Sequence, residues 1–205
     1  RLGRSEQPFA VMVRDTGHVS RIAHVSVAER HLLESAIRPI VVLEKRDFTA
    51  HDKISNLHTL GCMLPYSGLH HLLFSHLVHP LLVMTSANMP GYPMITDIDR
   101  AMARLGQNVD FFLTHNRTIE NRCDDSVVRD GFIIRLSRGM APKRTAVDLG
   151  EKTILGVGPE LNSNITLYKD RFATTSPHVG NVRNPGTFDY LKETIDTLAR
   201  LLGAE

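Results

Sequence analysis

Cysteine is scarce in this chain, and its scarcity excludes disulfide-rich and zinc-knuckle proteins. Cys62 and Cys123 are the only two cysteines among 205 residues, whereas both classes require several closely spaced ones. Tryptophan is absent, and no apolar run reaches the roughly 18 residues of a membrane-spanning helix. The first residues, RLGRSEQPF, lack the apolar core of a signal peptide. We therefore expect a cytoplasmic protein that does not contact a membrane.

The chain also lacks a strong charge of either sign. Lys and Arg number 24 and Asp and Glu number 22, which gives a net charge of +2. This balance tolerates an anionic ligand but does not by itself indicate nucleic-acid binding. A hydrophobic content of 42% suffices for one core and the beginning of a second. Because the first residue is Arg and not Met, we expect a segment of a longer protein.

Short apolar stretches alternate with stretches of helical spacing, which is typical of an α/β fold. Strands are predicted at 8–14, 39–44, 60–66, 110–116, 126–130 and 131–137, and before Thr85. Helices are predicted at 26–37, behind a Ser26 cap, at 69–77 and at 98–106. Gly106 is expected to end the last helix in a left-handed conformation. The pair Asp130-Gly131 predicts a hairpin.

A polar stretch at 142–151 predicts a linker between two domains, residues 1–141 and 152–205. The second region begins with a strand-loop-strand pattern, and a helix then follows Asn184, with Pro185 at its first position. The apolar stripe of this helix comprises Phe188, Leu191, Ile195, Leu198 and Leu202. We expect the stripe to pack on another element, because so short a region is marginal as an independent core.

The predicted strand LLVM is followed by small hydrogen-bonding residues. Thr85, Ser86 and Asn88 come where a buried strand of an α/β sheet ends, and ligands commonly bind at such places. Their side chains can hold phosphate or carboxamide oxygens, and Gly91 lets the backbone approach a ligand closely. The same residues also fit a tight Ser/Asn turn whose side chains bond only their own backbone. These residues alone leave both interpretations open.

Several segments, in order, resemble one known family. AVMVRD, RPIVVLEK, LGCMLPYSGLHHLLF, PLLVMTSANMPGYP, NRCDDSVVR and IIRLSRGMAP resemble the YrdC-like carbamoyl-adenylate domain. MLPYSGLHHLL, HNRTIENRCDDSVVR and RLSRGMAP are similar to the HypF family of hydrogenase-maturation carbamoyltransferases in particular. The stretch that begins LGVGPELNSNITLYKD resembles the opening of the actin-like ATPase-fold domain that follows in that family. The resemblance implies a YrdC-like twisted mixed sheet with flanking helices, truncated at its N-terminus, followed by an incomplete actin-like ATPase-fold segment.

The resemblance further implies an ATP-dependent carbamoyltransferase. In this family carbamoyl phosphate and ATP give carbamoyl adenylate, and the carbamoyl group passes to a cysteine of a partner maturation protein for the cyanide ligands of nickel-iron hydrogenase. Catalysis would consist of positioning and charge neutralisation by Arg and Mg²⁺, without a covalent protein nucleophile. Zinc or iron would belong only to family parts that this chain lacks. Its eleven histidines form no convincing metal-ligand pattern.

The resemblance assigns roles to individual residues. Ser86 and Asn88 match a Ser-x-Asn pair that contacts the nucleotide phosphates, and Thr85 lies beside them. Ser126, in DDSVV, matches a serine near the acyl end of the adenylate. Arg135, in IIRLSRG, matches an arginine that contacts the nucleotide. Ser126 and Arg135 are therefore the predicted catalytic residues.

Two further cations belong to the predicted nucleotide site. Arg138 is a second candidate beside Arg135, and Arg4 can stand for the arginine of the family's basic motif. Leu2 and Gln7, however, occupy the two lysine positions of that motif. Losing two charge-assisted contacts of about 1.5–3 kcal/mol each would weaken ATP binding, which puts the activity of this segment in question.

Two alternative functions share the fold. A threonylcarbamoyl-adenylate synthase for tRNA modification would require threonine in place of carbamoyl phosphate. A non-catalytic module that binds nucleotide or double-stranded RNA would explain the missing lysines. The joined start of a second domain after RGMAP favours the HypF-type interpretation.

Overall fold

The computed structural model describes residues 8–47, 49, 51–89 and 91–204. They form two compact units. The first unit contains residues up to Thr85 together with Asp125–Gly139, and the second unit contains Ser86–Asp124 and the residues from Met140 onward. Each unit has its own sheet and its own core.

The first unit is built on a six-stranded mixed sheet. Its strands are β1 (Ala10–Val13), β2 (Ile40–Glu44), β3 (Thr59–Met63), β4 (Leu81–Met84), β5 (Val127–Arg129) and β6 (Phe132–Arg135). They lie in the order β4-β1-β3-β2-β5-β6. The pairs β1/β3 and β2/β5 are parallel and the other neighbours are antiparallel. The predicted mixed α/β sheet with flanking helices is confirmed.

The first unit also contains three helices: α1 (Thr16–Ile22), α2 (Val27–Glu34) and α3 (Gly68–His76). The predicted cap of α2 is confirmed, because the Ser26 hydroxyl accepts the Glu29 N–H and the Glu29 side chain accepts the Ser26 N–H. Helix α1 was not predicted, and it begins where the Asp15 carboxylate accepts the His18 N–H. The core of the unit contains Val11, Val13, Val19, Leu33, Val41, Leu43 and Leu60.

The hairpin between β5 and β6 is confirmed at the predicted dipeptide. Asp130 and Gly131 both have positive φ angles, of 49° and 80°. Positive φ at both central positions is what a two-residue hairpin of the favoured twist requires, and Asp-Gly provides it at low cost. The turn therefore places β6 antiparallel to β5 and brings residues 136–139 back towards Ser126.

The second unit combines helix α4 (Ile98–Leu105), a four-stranded antiparallel sheet and helix α5 (Pro185–Leu202). Its strands are β7 (Lys143–Ala146), β8 (Ile154–Val157), β9 (Ile165–Lys169) and β10 (Phe172–Thr175), in the order β7-β10-β9-β8. Strand β7 lies inside the stretch predicted to be a linker. The domain bounds drawn from the sequence remain a prediction.

Helix α5 begins as predicted and buries part of its predicted stripe. The Asn184 side chain accepts the Gly186 N–H, and Pro185 takes the first position. Leu191 and Leu198 are buried with Ile165 of β9, whereas Phe188 remains 48% exposed. The stripe therefore packs mainly through its central leucines.

Two local predictions were wrong. Residues 110–116 form no strand, and Phe111 is 90% exposed. Their apolar pattern resembles a strand, but a strand requires a neighbouring ladder to satisfy its backbone groups. Gly106 has φ −54°, not a left-handed value, and its N–H donates to the Met102 carbonyl. The helical hydrogen bonding of α4 thus continues through Gly106.

Gly131 and Gly139 provide a matched test of one close contact in the first unit. Their φ angles are 80° and 79°. A Cβ on Gly139 would lie 3.1 Å from the Ile37 Cα, whereas a Cβ on Gly131 would meet nothing within 4 Å. We expect Gly131→Ala to lower the free energy of unfolding by about 1 kcal/mol through backbone strain alone. Gly139→Ala should lower it by about 1–3 kcal/mol more, because the backbone of Ile37 must move. Urea unfolding measures both, and equal losses would contradict the close approach.

Candidate functional site

The Ser-x-Asn segment is a turn held by its own hydrogen bonds. The Ser86 hydroxyl donates to the Asn88 side-chain oxygen, and the Asn88 amide group donates to the carbonyls of Tyr92 (2.7 Å) and Met89 (3.3 Å). The Asn88 N–H donates to the Ser86 carbonyl at 3.0 Å. Ser86 and Asn88 are half-buried, and Thr85 is exposed directly after β4. The turn chemistry considered from the sequence is therefore present.

Asn88 also lines a small polar cavity of about 140 Å³ within the second unit. The other polar side chains of its lining are Tyr92, Arg122, Asp124, His178, Asn181, Thr187 and Tyr190. Arg122 is held in place, because its Nε donates to the Met94 carbonyl at 2.9 Å and its Nη1 pairs with Glu193. Its guanidinium lies 5.0 Å from the Tyr190 ring centroid. Sequence reasoning missed Arg122, although it lies in the HNRTIENRCDDSVVR segment that carries the family resemblance.

Ser126 is buried in the first unit, with none of its surface exposed. Its hydroxyl donates to the Arg138 carbonyl at 3.0 Å and accepts the Ser137 N–H at 2.9 Å. A buried hydroxyl must find partners within the protein, and this one finds two in the backbone that follows β6. In the described structure Ser126 therefore fixes that backbone, and its predicted contact with the acyl group stays a prediction.

Arg138 is the most extensively bonded of the predicted cations. Its Nε donates to Asp125 Oδ1 at 2.8 Å, Nη1 donates to the Ile37 carbonyl at 2.9 Å, and Nη2 donates to the Arg38 carbonyl at 2.8 Å. The guanidinium lies 3.6 Å from the Tyr66 ring centroid, the distance of a close cation–π stack. Three of its donors thus serve the protein, which favours a supporting role for Arg138.

Arg135 ends β6 and is half-buried. In the sheet it pairs with Val127, the residue that follows Ser126. The structure thus brings Ser126, Arg135 and Arg138 together at one end of β5 and β6, whereas Ser86 and Asn88 belong to the second unit. Arg4, Leu2 and Gln7 lie outside the described residues.

Tyr66 links this cluster to helix α3. The His70 ring packs edge-on against the Tyr66 ring, with centroids 4.5 Å apart and planes at 88°. Burial lowers the pKa of His70, followed by smaller opposing effects of Asp125, which raises it, and Arg138, which lowers it. The lowered pKa favours the neutral imidazole, which does not repel the Arg138 guanidinium stacked on the Tyr66 ring.

Within the described ranges, no cluster of three or more His, Cys, Asp or Glu side chains is arranged to hold a metal ion. None of the helices in this same part of the chain is long and apolar enough to cross a membrane. Both findings concern the described residues only.

Two family models match this chain. Residues 1–137 match the Sua5, YciO and YrdC model, described as telomere recombination, and residues 150–205 match the HypF Kae1-like domain model. The probable carbamoyltransferase HypF of Methanocaldococcus jannaschii is 45% identical over 210 residues, which cover 98% of this chain and 27% of that protein.

Solved structures give the same result. A crystal structure of full-length HypF in a phosphate- and nucleotide-bound form matches with a TM-score of 0.93 at 38% identity, covering 100% of this chain and 28% of that one. The structure of T. kodakarensis HypF matches with a TM-score of 0.91 at 39% identity, covering 97% and 27%. This chain therefore spans little more than a quarter of the length of these relatives.

The two thiols differ in their environments. Cys62 is buried in the core of the first unit, and burial raises its pKa to about 12. Cys123 is exposed. Because the thiolate is the reactive form, both the raised pKa and the burial of Cys62 make it slow to react at pH 8.

We expect a thiol reagent such as Ellman's reagent to modify one cysteine per folded chain at pH 8, and two in denaturant. Cys123→Ser should abolish the fast reaction, while Cys62→Ala should leave it unchanged. Rapid modification of both thiols under native conditions would contradict the burial of Cys62.

Proposed function

We propose that this chain, which belongs to the Sua5, YciO and YrdC family and is similar to HypF carbamoyltransferases, contributes to the formation of carbamoyl adenylate from ATP and carbamoyl phosphate. One observation carries the proposal: a YrdC-type segment at 1–137 continues in the same chain into a HypF Kae1-like segment at 150–205. A threonylcarbamoyl-adenylate synthase would account for the first segment but not for the second. The nucleotide-bound form of a HypF relative adds support for ATP as a substrate.

The proposed step is an attack of a carbamate oxygen on the α-phosphorus of ATP. The carbamate comes from hydrolysis of carbamoyl phosphate, in which water enters, the bond that joins the carbamoyl and phosphoryl groups breaks, and inorganic phosphate leaves. A new bond joins carbamate to the α-phosphorus, the bond from that phosphorus to the bridging oxygen breaks, and pyrophosphate leaves with the electron pair. The protein supplies no covalent nucleophile in this scheme. Its task is to hold the reactants in line and to offset phosphate charge.

Specific residues are assigned to this task. Ser86 and Asn88 would exchange hydrogen bonds within their turn for bonds to phosphate oxygens, with Thr85 beside them. Arg135 would contact the nucleotide, and Arg4 would add a second cation from the N-terminal motif. A Mg²⁺ ion that enters with the nucleotide would neutralise charge on its phosphates.

The later transfer to a cysteine of a partner maturation protein is proposed for the longer protein. The Kae1-like match covers only residues 150–205, which form β8, β9, β10 and α5. So small a segment is marginal as an independent core. We therefore assign to this chain the adenylate-forming half of the reaction, in a cytoplasmic setting as the sequence predicts.

Exchange of labelled pyrophosphate into ATP tests the proposal. We expect exchange with carbamoyl phosphate, or with ammonium bicarbonate as a direct source of carbamate, and none without a carbamoyl donor. The Methanocaldococcus jannaschii relative serves as the positive control. Exchange in the relative alone would mean that this segment has the fold without the activity.

Two other outcomes would contradict the proposal and indicate a different function. Exchange that requires threonine and bicarbonate would identify a threonylcarbamoyl-adenylate synthase. ATP or double-stranded RNA binding without any exchange would identify a binding module, with RNA affinity that falls as salt rises.

Ser86 and Asn88 can be tested separately, because the structure gives them different local roles. Ser86→Ala removes one hydrogen bond within the turn and should raise the Kd for ATP about 10-fold or more, the loss expected for a bond to a charged group. Asn88→Ala should raise the Kd similarly and also lower Tm, since it releases the Tyr92 and Met89 carbonyls. Ser75→Ala, which removes an exposed helix hydroxyl, is the control. Calorimetry and thermal unfolding that show lower Tm with unchanged Kd would assign both residues to the turn alone.

A further inference from the structure

Three sets of contacts within the first unit hold the segment that follows β6. The buried Ser126 hydroxyl bonds to the Ser137 N–H and the Arg138 carbonyl. The Arg138 guanidinium bonds to Asp125 and to the carbonyls of Ile37 and Arg38. Gly139 lies against the Ile37 backbone so closely that a Cβ would be 3.1 Å from its Cα. These contacts fix the backbone immediately after Arg135.

The Tyr66 ring packs against the Arg138 guanidinium. Its ring centroid lies 3.6 Å from the Arg138 Cζ, and the His70 ring supports its edge. His70 belongs to α3, and the Ser67 hydroxyl that caps this helix accepts the His70 N–H at 3.3 Å. The ring of Tyr66 is therefore held by the first turn of a helix, and Arg138 is held between that ring and the carbonyls of the segment before β2.

The three predicted residues of this cluster differ in the contacts that the structure gives them. Ser126 has no exposed surface, and three Arg138 donors are engaged with the protein. Arg135 lies three residues before Arg138, at the end of a strand, and it is only half-buried. Arg135 is the residue that the proposed function assigns to the nucleotide, and it directly precedes the backbone that Ser126 and Arg138 hold.

We propose that Tyr66, Arg138 and Ser126 are positioning residues that hold the end of β6 so that Arg135 meets the nucleotide. The proposal rests on the adenylate-forming function proposed above. Ser126 then acts through the backbone of residues 137 and 138 and not by touching the acyl group. Tyr66 acts through the guanidinium of Arg138, a role that no sequence motif assigned to it.

The two roles for Ser126 predict different kinetics. If Ser126 positions Arg135, Ser126→Ala should raise the KM for ATP in pyrophosphate exchange about 10-fold and leave the KM for the carbamoyl donor within about 2-fold, because the lost contact is with the nucleotide. A rise in the KM for the carbamoyl donor alone would overturn the proposal in favour of direct acyl contact.

Tyr66 provides the matched pair of variants. Tyr66→Phe keeps the ring face over Arg138, so its KM for ATP should stay within about 2-fold of the unsubstituted chain, while Tyr66→Leu loses the stack and should raise this KM about 10-fold. Phe132→Leu, an aromatic substitution at a 77% exposed position of β6, controls for general effects on the sheet. Equal KM values in the Phe and Leu variants would overturn the role of the ring.

Hydrogen exchange of the Ser137 amide gives a readout that needs no activity. Its N–H is bonded to the buried Ser126 hydroxyl, so Ser126→Ala and Tyr66→Leu should accelerate its exchange about 10-fold or more, while Tyr66→Phe and Phe132→Leu should not. If the unsubstituted chain catalyses no pyrophosphate exchange, the proposed function fails and this amide still tests the network. Unchanged amide protection in both Ser126→Ala and Tyr66→Leu would overturn the network itself.

Discussion

The buried hydroxyl of Ser126 is the constraint on which the first unit's candidate site depends. A hydroxyl with no access to water must exchange hydrogen bonds within the protein, and here both partners lie in the backbone after β6. That backbone carries Arg138, whose charge in turn needs partners because its side chain is only 23% exposed. Asp125, the carbonyls of Ile37 and Arg38 and the Tyr66 ring supply them. The buried hydroxyl thus fixes the backbone, and the backbone places Arg138 beside its partners.

The Ser-x-Asn turn is organised on a different physical principle. Its hydrogen bonds join near neighbours in sequence, and its residues are half-buried. Bonds of this kind can be exchanged for bonds to a ligand at little cost, because water and phosphate oxygens offer similar partners to the side chains that are released. A loop on a stable scaffold is where binding residues are commonly found. The turn that the structure shows is therefore compatible with the phosphate contact proposed for the same side chains.

The sequence predicted the elements whose signal is local and missed those that depend on distant partners. Ser26, Asn184 and Asp130-Gly131 were assigned correctly because capping and turn chemistry act within four residues. Residues 110–116 were assigned wrongly because a strand exists only if another strand pairs with it. Arg138 was identified as a cation, but its bond to the Ile37 carbonyl spans 101 residues of sequence. No spacing rule anticipates such a contact, and the supporting role of Tyr66 was missed for the same reason.

Chemistry without a covalent nucleophile places its main demand on geometry. When both reactants are bound, the rate depends on how accurately the attacking oxygen and the α-phosphorus are aligned, and small displacements are costly. A cation that contacts the nucleotide therefore contributes more to the rate when a rigid backbone fixes its position than when further charge is added. In the proposed arrangement Ser126, Arg138 and Tyr66 meet this demand, because their contacts to one another and to the backbone do not depend on a ligand. By the same reasoning, the exchangeable bonds belong in the Ser-x-Asn turn, where the ligand's own oxygens can complete them.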